Sequence, residues 1–258
     1  MKFFINVGSS IINFLEETGR FFIFTLKTLK SIISKWYLKN IFQQMISIGY
    51  LSLPVVALTS FFTGGALAIQ IYYGGNQFNS EVIVSSIVAL GITRELGPVL
   101  GGIVVAGRVS AAIAAEIGTM KVTEQIEAIT MLRTEPVQYL VVPRLLSMVI
   151  MSPVQCLLFL SVALWSGQIW STIFYKVPPI VFWTSVKSGN VSLTSADLTS
   201  MLIKSVVFGL LISIIACGYG LTTQGGPKEV GISTTGAVVM TLVTVSLMDV
   251  LLTQILFG

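Results

Sequence analysis

The chain has 258 residues, 54% of them hydrophobic and only 10% charged, with a mean hydropathy of +0.89 and a net charge of +4. A soluble domain carries about 25% charged residues, so a water-solvated globule is excluded and lipid is the expected solvent. With no histidine, and with Cys156 and Cys217 each inside an apolar run, neither a His-based metal or proton-shuttle site nor a disulfide framework is expected.

Residues 1–40 interleave Phe, Ile and Leu with six basic and two acidic residues. Leu26, Leu29, Ile33 and Trp36 recur at helical spacing with Lys27, Lys30 and Ser31 between them, which predicts an amphipathic helix lying in the membrane interface. No small-x-small cleavage site follows, so no removable signal is expected. Five uncharged or nearly uncharged runs come next, at 46–73, 82–107, 145–172, 198–220 and 234–257. Each reaches the roughly 20 residues that a spanning helix needs. The predicted fold is therefore an all-α integral membrane protein: one domain over 1–258, with the interfacial helix and five transmembrane helices. Lysine and arginine are concentrated in residues 1–40 and in 108–144, whereas the connection after the first span, "GGNQFNSE", has none. By the positive-inside rule the N-terminus is cytoplasmic and the C-terminus lies outside.

Four ionisable residues interrupt the spans: the adjacent pair Arg94 and Glu95 in "GITRELGPVLGG", then Lys204 and Asp249. Their charges sum to zero. A lone charge at mid-bilayer costs roughly 3 kcal/mol or more. At 1.5 Å per residue, Arg94, Lys204 and Asp249 lie about 20, 10 and 14 Å from the outer ends of their spans. The second, fourth and fifth spans are thus expected to gather two cations and two anions in the outer half of the bilayer. Such a cluster either fixes helix register or lines a cavity for a charged headgroup. Past the pair, Gly97-x-x-x-Gly101, Ala106-x-x-x-Ser110, Ala111-x-x-x-Ala115 and Ala114-x-x-x-Gly118 set small residues one turn apart, a pattern that lets helices approach closely in lipid.

Between the second and third spans, residues 119–136 predict a short cytosolic helix capped by Thr123, with Glu124 in its first turn and Pro136 as its stop. Ile126, Ile129 and Leu132 share a face, with Glu124, Gln125 and Glu127 mostly elsewhere. That face either docks into a groove on a cytosolic partner or rests on its own bundle. No G-x-x-x-x-G-K-[ST] phosphate loop is present; the glycines and lysine of "TTQGGPKEVGIST" are in the wrong order. Any ATP must be bound by another chain, and no cofactor is expected in this one.

The stretch "RELGPVLGGIVVAGRVSAAIAAEIGTMKVTEQIEAI", the following "YLVVPR", "IKSVVFG" at 203–209 and the ending at 249–258 resemble the MlaE-type permeases, the membrane subunits of MCE-associated ABC transporters. The resemblance implies a homodimer that moves phospholipids or related lipids and helps maintain outer-membrane lipid asymmetry. It implies two copies of a cytosolic ABC ATPase engaging the Glu124–Leu132 helix, a ring of MCE-domain subunits outside, and room for a small accessory cytosolic subunit. It also implies a bacterial inner membrane and a lipid cavity near the dimer interface. Arg94, Glu95, Lys204 and Asp249 match the family's Arg-Glu pair, "IKS" lysine and late aspartate. The alternatives are an ion- or proton-coupled carrier using Glu95 and Asp249, and a scaffold that only anchors an outer ring.

Overall fold

A computed structural model describes residues 19, 21–32, 37–75, 81–188 and 193–257. The described residues are helical throughout, apart from turns and short connections. Helix α1 covers 21–31 and α2 covers Leu38–Gln44. After two irregular turns, α3 runs over Leu53–Gly75. Then come α4 (Glu81–Gly91), α5 (Gly97–Val122), α6 (Gln125–Met131), α7 (Val142–Tyr175), α8 (Pro179–Ser188), α9 (Ser195–Thr222) and α10 (Pro227–Phe257). Five continuous stretches are long and apolar enough to cross a membrane: Leu38–Gly74, Val84–Val122, Val137–Tyr175, Ser195–Thr222 and Pro227–Phe257. These are the five spans expected from the sequence. Most run past the apolar segments at one or both ends because the helices continue through flanking polar residues.

The spans are not uniform. Wide π turns occupy Met45–Gly49, Ile92–Leu96 and Val137–Val141. Two of them lead directly into a helix whose second residue is proline, Pro98 and Pro143. Proline has no N–H to offer the carbonyl four residues back, and its ring crowds that carbonyl. A widened turn relieves the crowding. Pro98, four residues after Arg94, has no N–H to offer the Arg94 carbonyl.

Close helix crossings depend on glycine. A Cβ at Gly64 would enter the Ala163 backbone, joining α3 to α7. One at Gly209 would strike the Ser152 hydroxyl, joining α9 to α7, and one at Gly220 would lie 2.7 Å from Ile117, joining α9 to α5. In the small-residue stripe, Ala106, Ser110 and Ala114 are fully buried, and a Cβ at Gly118 would lie 3.2 Å from the Thr223 hydroxyl and 3.3 Å from Val230. Gly97 is tight only against the Ile92 carbonyl of its own turn, and Gly101 makes ordinary contact with the Phe159 ring. Ala111 and Ala115 are half-buried.

Two local expectations for residues 119–136 are corrected. Thr123 does not cap α6. Its hydroxyl donates to the Thr119 carbonyl at 2.8 Å, closing α5, and Glu124 precedes α6 in the left-handed region at φ 59°. Pro136 does not stop α6 either. That helix ends before Arg133, which turns left-handed at φ 56°, and Pro136 starts the next helical segment. The Gly-rich loop 221–233 is mostly helix: α9 and α10 are separated by a four-residue turn, with Gly225 at φ 107° and the Gly226 N–H donating to the Glu229 carboxylate at 3.0 Å. In 173–197 the structure adds α8, whose Phe182 is buried.

The N-terminal helix is present over 21–31, with Phe22, Ile23, Leu26 and Leu29 facing out and Phe24 packed on the core. Lys27 pairs with Glu135 at 2.8 Å, which holds this helix against the connection leading into α7. Ile33 and Trp36 lie outside the described residues.

Candidate functional site: a charge cluster at one end of the bundle

Lys204 lies nine residues into α9 and none of its side chain is exposed. A buried ammonium survives only if anions and acceptors replace its water. Here Asp249 Oδ1 lies 3.0 Å away and the Glu95 carboxylate oxygens 3.3 and 3.4 Å away. The Lys204 Nζ also donates to the Thr253 hydroxyl at 2.7 Å and to the Arg94 carbonyl at 3.1 Å. That is the carbonyl to which Pro98 offers no N–H. The proline, the π turn and the buried lysine are one local solution. Thr253, one turn after Asp249 on α10, donates to the Asp249 carbonyl at 2.8 Å and lies 3.3 Å from Glu95 Oε1.

The sequence placed Arg94, Glu95, Lys204 and Asp249 at similar depth, and the structure brings Glu95, Lys204 and Asp249 into contact. The Arg94 side chain does not join them. Its Nε donates to Asp197 Oδ1 at 2.7 Å, and its guanidinium lies 5.0 Å from the centre of the Phe257 ring. Asp197 is buried, with 2% of its side chain exposed, and its other oxygen accepts the Thr194 N–H at 2.9 Å, capping α9. In the sequence Asp197 stands just ahead of the fourth apolar run, 198–220. The available signal was Thr194-x-x-Asp197 ahead of an apolar run, a capping-box spacing. With Asp197 the group holds three carboxylates and two cations, a formal charge of −1. Arg94 and Glu95 are its outward members, each with 43% of the side chain exposed.

The opposite end is tied by a second set of ion pairs. The buried Arg144 donates to the Leu140 carbonyl at 2.7 Å and pairs with Glu116 at 2.7 Å, fastening α7 to α5. Lys121 pairs with Glu127, fastening α6 to α5. This hydrogen bond from the ammonium holds the Glu127 carboxyl below the usual carboxylate range. Ile126 is buried and Ile129 packs on the core, so much of the predicted docking face rests on its own bundle. Leu132 departs from that face at 78% exposure, beside Met131 at 84%. Glu124 and Gln125 are also exposed.

Between α5, α7 and α9 a cavity of about 20 Å³ is lined by Gly101, Ser152, Gln155, Cys156, Ser205 and Phe208. Ser152 Oγ and Gln155 Oε1 have no partner there. The space suits a single water, not a lipid headgroup. Among the described residues no group of three or more Cys, Asp or Glu is arranged to hold a metal ion.

The family model described as permease MlaE matches residues 41–255. The chain belongs to the MlaE permease family. This permease is 41% identical over 252 residues to a probable ABC transporter permease protein of Rickettsia typhi, covering 97% of its own chain and 96% of that one. It is 40% identical to a probable ABC transporter permease protein of Synechocystis, covering 85% and 82% of the two chains. It is also 38% identical to the chloroplastic protein trigalactosyldiacylglycerol 1 of Arabidopsis thaliana, covering 89% of this chain and 65% of the plant protein. The MlaE-type chain is thus a multi-pass membrane permease subunit rather than an enzyme.

Proposed function

We propose that this permease is the membrane subunit of an ATP-driven transporter of phospholipids or related lipids in a bacterial inner membrane. The observation that carries the reading is the buried Lys204 held by Glu95 and Asp249, with Arg94 and Glu95 left half-exposed in an otherwise apolar bundle. Burying this many ionisable groups in lipid is costly unless they pair, and the two left half-exposed are suited to meet a polar headgroup. A plant relative named after a glycerolipid supports a lipid cargo. The cavity of about 20 Å³ between α5, α7 and α9 is too small for a lipid, and in this reading the lipid occupies a chamber between two copies of the chain. In this reading the N-terminus is cytoplasmic and the C-terminus periplasmic. Two ABC ATPase chains engage the α6 tip from the cytosol, where a small accessory subunit also has room. A ring of MCE-domain subunits receives the lipid outside, and the lipid supply sustains outer-membrane asymmetry. No bond is made or broken in the permease; ATP hydrolysis elsewhere shifts it between two states of different lipid affinity. An ion-coupled carrier fits less well, because Glu95 and Asp249 are both engaged by Lys204 and the family is one of ABC permeases.

The test is gentle purification from native membranes, native mass spectrometry, and vesicle-to-vesicle lipid transfer with and without ATP. Two copies with two ATPase chains and ATP-dependent transfer are expected. A chain that carries no ATPase after crosslinking, and whose transport follows a proton gradient, overturns the reading.

A further inference from the structure

We propose that the cluster selects lipids whose headgroup carries both a phosphate and an amine, over lipids with a net anionic headgroup; this rests on the lipid-transport reading above. Three observations carry it. First, only one cation and one anion reach outward, and they are neighbours in a single π turn: Arg94 and Glu95, each 43% exposed, against 0% for Lys204, 2% for Asp197 and 11% for Asp249. Second, each is held from behind with its recognition atoms spare. Arg94 binds Asp197 through Nε alone, and among the described residues its two terminal nitrogens have no hydrogen-bond partner. Those nitrogens form the planar fork that matches two phosphate oxygens. The Phe257 ring supports one face of the guanidinium. The Glu95 carboxylate accepts only long bonds, from Lys204 at 3.3 and 3.4 Å and from the Thr253 hydroxyl at 3.3 and 3.5 Å, so lone pairs remain for a headgroup ammonium. Third, the five ionisable groups already sum to −1. In a medium of low dielectric a like charge is repelled over a longer range than in water. A phosphate with no amine adds a second negative charge. A phosphate linked to an ammonium adds none, and lays its two charges on opposite partners.

The experiment uses the assembly purified from its native membrane and reconstituted in vesicles of equal parts phosphatidylethanolamine and phosphatidylglycerol. Lipid retained per assembly and ATP-dependent transfer of each lipid are measured by mass spectrometry. About a tenfold preference for phosphatidylethanolamine is expected, falling to about twofold in Glu95→Gln. Equal or anionic-favouring transfer by the unmodified protein overturns the inference while leaving lipid transport standing. No ATP-dependent transfer of either lipid overturns the transport reading itself. Because Glu95→Gln can weaken the fold, the unmodified assembly is also challenged with lysophosphatidylethanolamine or lysophosphatidylglycerol as competitor. Equal competition by the two likewise sinks the inference.

Discussion

Lys204 sits between Glu95, Asp249 and Thr253 with no access to solvent. Lys204→Ala leaves two carboxylates facing each other without their cation, and breaking a buried pair from one side costs about 3–5 kcal/mol. The melting temperature of the purified permease is expected to fall by about 10 °C. Lys204→Met combined with Asp249→Leu is expected to recover about half of that loss, because the stranded carboxylate goes too. A single variant that melts like the parent shows that the pairing contributes nothing. Glu95, Lys204 and Asp249 were legible in the sequence because a charge inside an apolar run is expensive and so conspicuous. Asp197 was not, because an acidic residue at a helix start is ordinary and its burial depends on where Arg94 reaches. Thr253 was missed because a lone threonine hydroxyl carries no charge to betray it, though its place one turn after Asp249 sets it on the same face.

At the scale of elements, the number and order of the spans followed from length and hydropathy, whereas the irregular turns did not. A π turn takes in about one extra residue, a shift that a run apolar on every face does not record; at Ile92–Leu96 and Val137–Val141 its trace is the proline that follows. Pro98→Ala restores an N–H that competes with Lys204 for the Arg94 carbonyl. The permease is then expected to melt at the same temperature or about 2 °C higher, while ATP-driven transfer falls about tenfold as Arg94 and Glu95 rotate out of register. Undiminished transfer means that the π turn is dispensable. The ends of α6 were misread for a related reason: the residues that bound it, Glu124 and Arg133, take left-handed backbone that glycine favours and their identity does not announce. The Lys121–Glu127 pair pins this short helix. Because the folded Glu127 carboxyl titrates below its unfolded value, the pair supports α6 above the unfolded value and its contribution is lost as pH falls through the folded one. Hydrogen exchange in Gln125–Met131, corrected for the intrinsic rate, is expected to accelerate below about pH 4. Glu127→Gln is expected to exchange faster at neutral pH and to lose that dependence.

At the scale of the molecule, the two polar regions lie at opposite ends of one bundle, the charge cluster at one end and the α6 tip at the other. With Ile126 and Ile129 committed to the bundle, Met131 and Leu132 are the apolar groups of the tip left to meet another chain. Leu132→Asp is expected to weaken capture of the ATPase at least tenfold while membrane accumulation stays at the parental level. Equal capture by the variant moves the ATPase contact elsewhere. The sequence pointed to this segment, but of its apolar residues Ile126, Ile129 and Leu132 only Leu132 stays free, because helical spacing alone does not say which neighbour an apolar face meets. Between the two ends runs α5, unbroken from Gly97 to Val122, with Arg94 and Glu95 just before it and α6 just after it. At 1.5 Å per residue, Arg94 and Val122 are about 42 Å apart along it. A shaft of that length is a lever arm: a tilt of about 5° pivoting at the α6 end sweeps the far tip through about 4 Å. That travel exceeds every contact distance that holds Lys204 to Glu95 and Arg94 to Asp197, so a slight nudge at one membrane face is geometrically sufficient to open the ion pairs at the other.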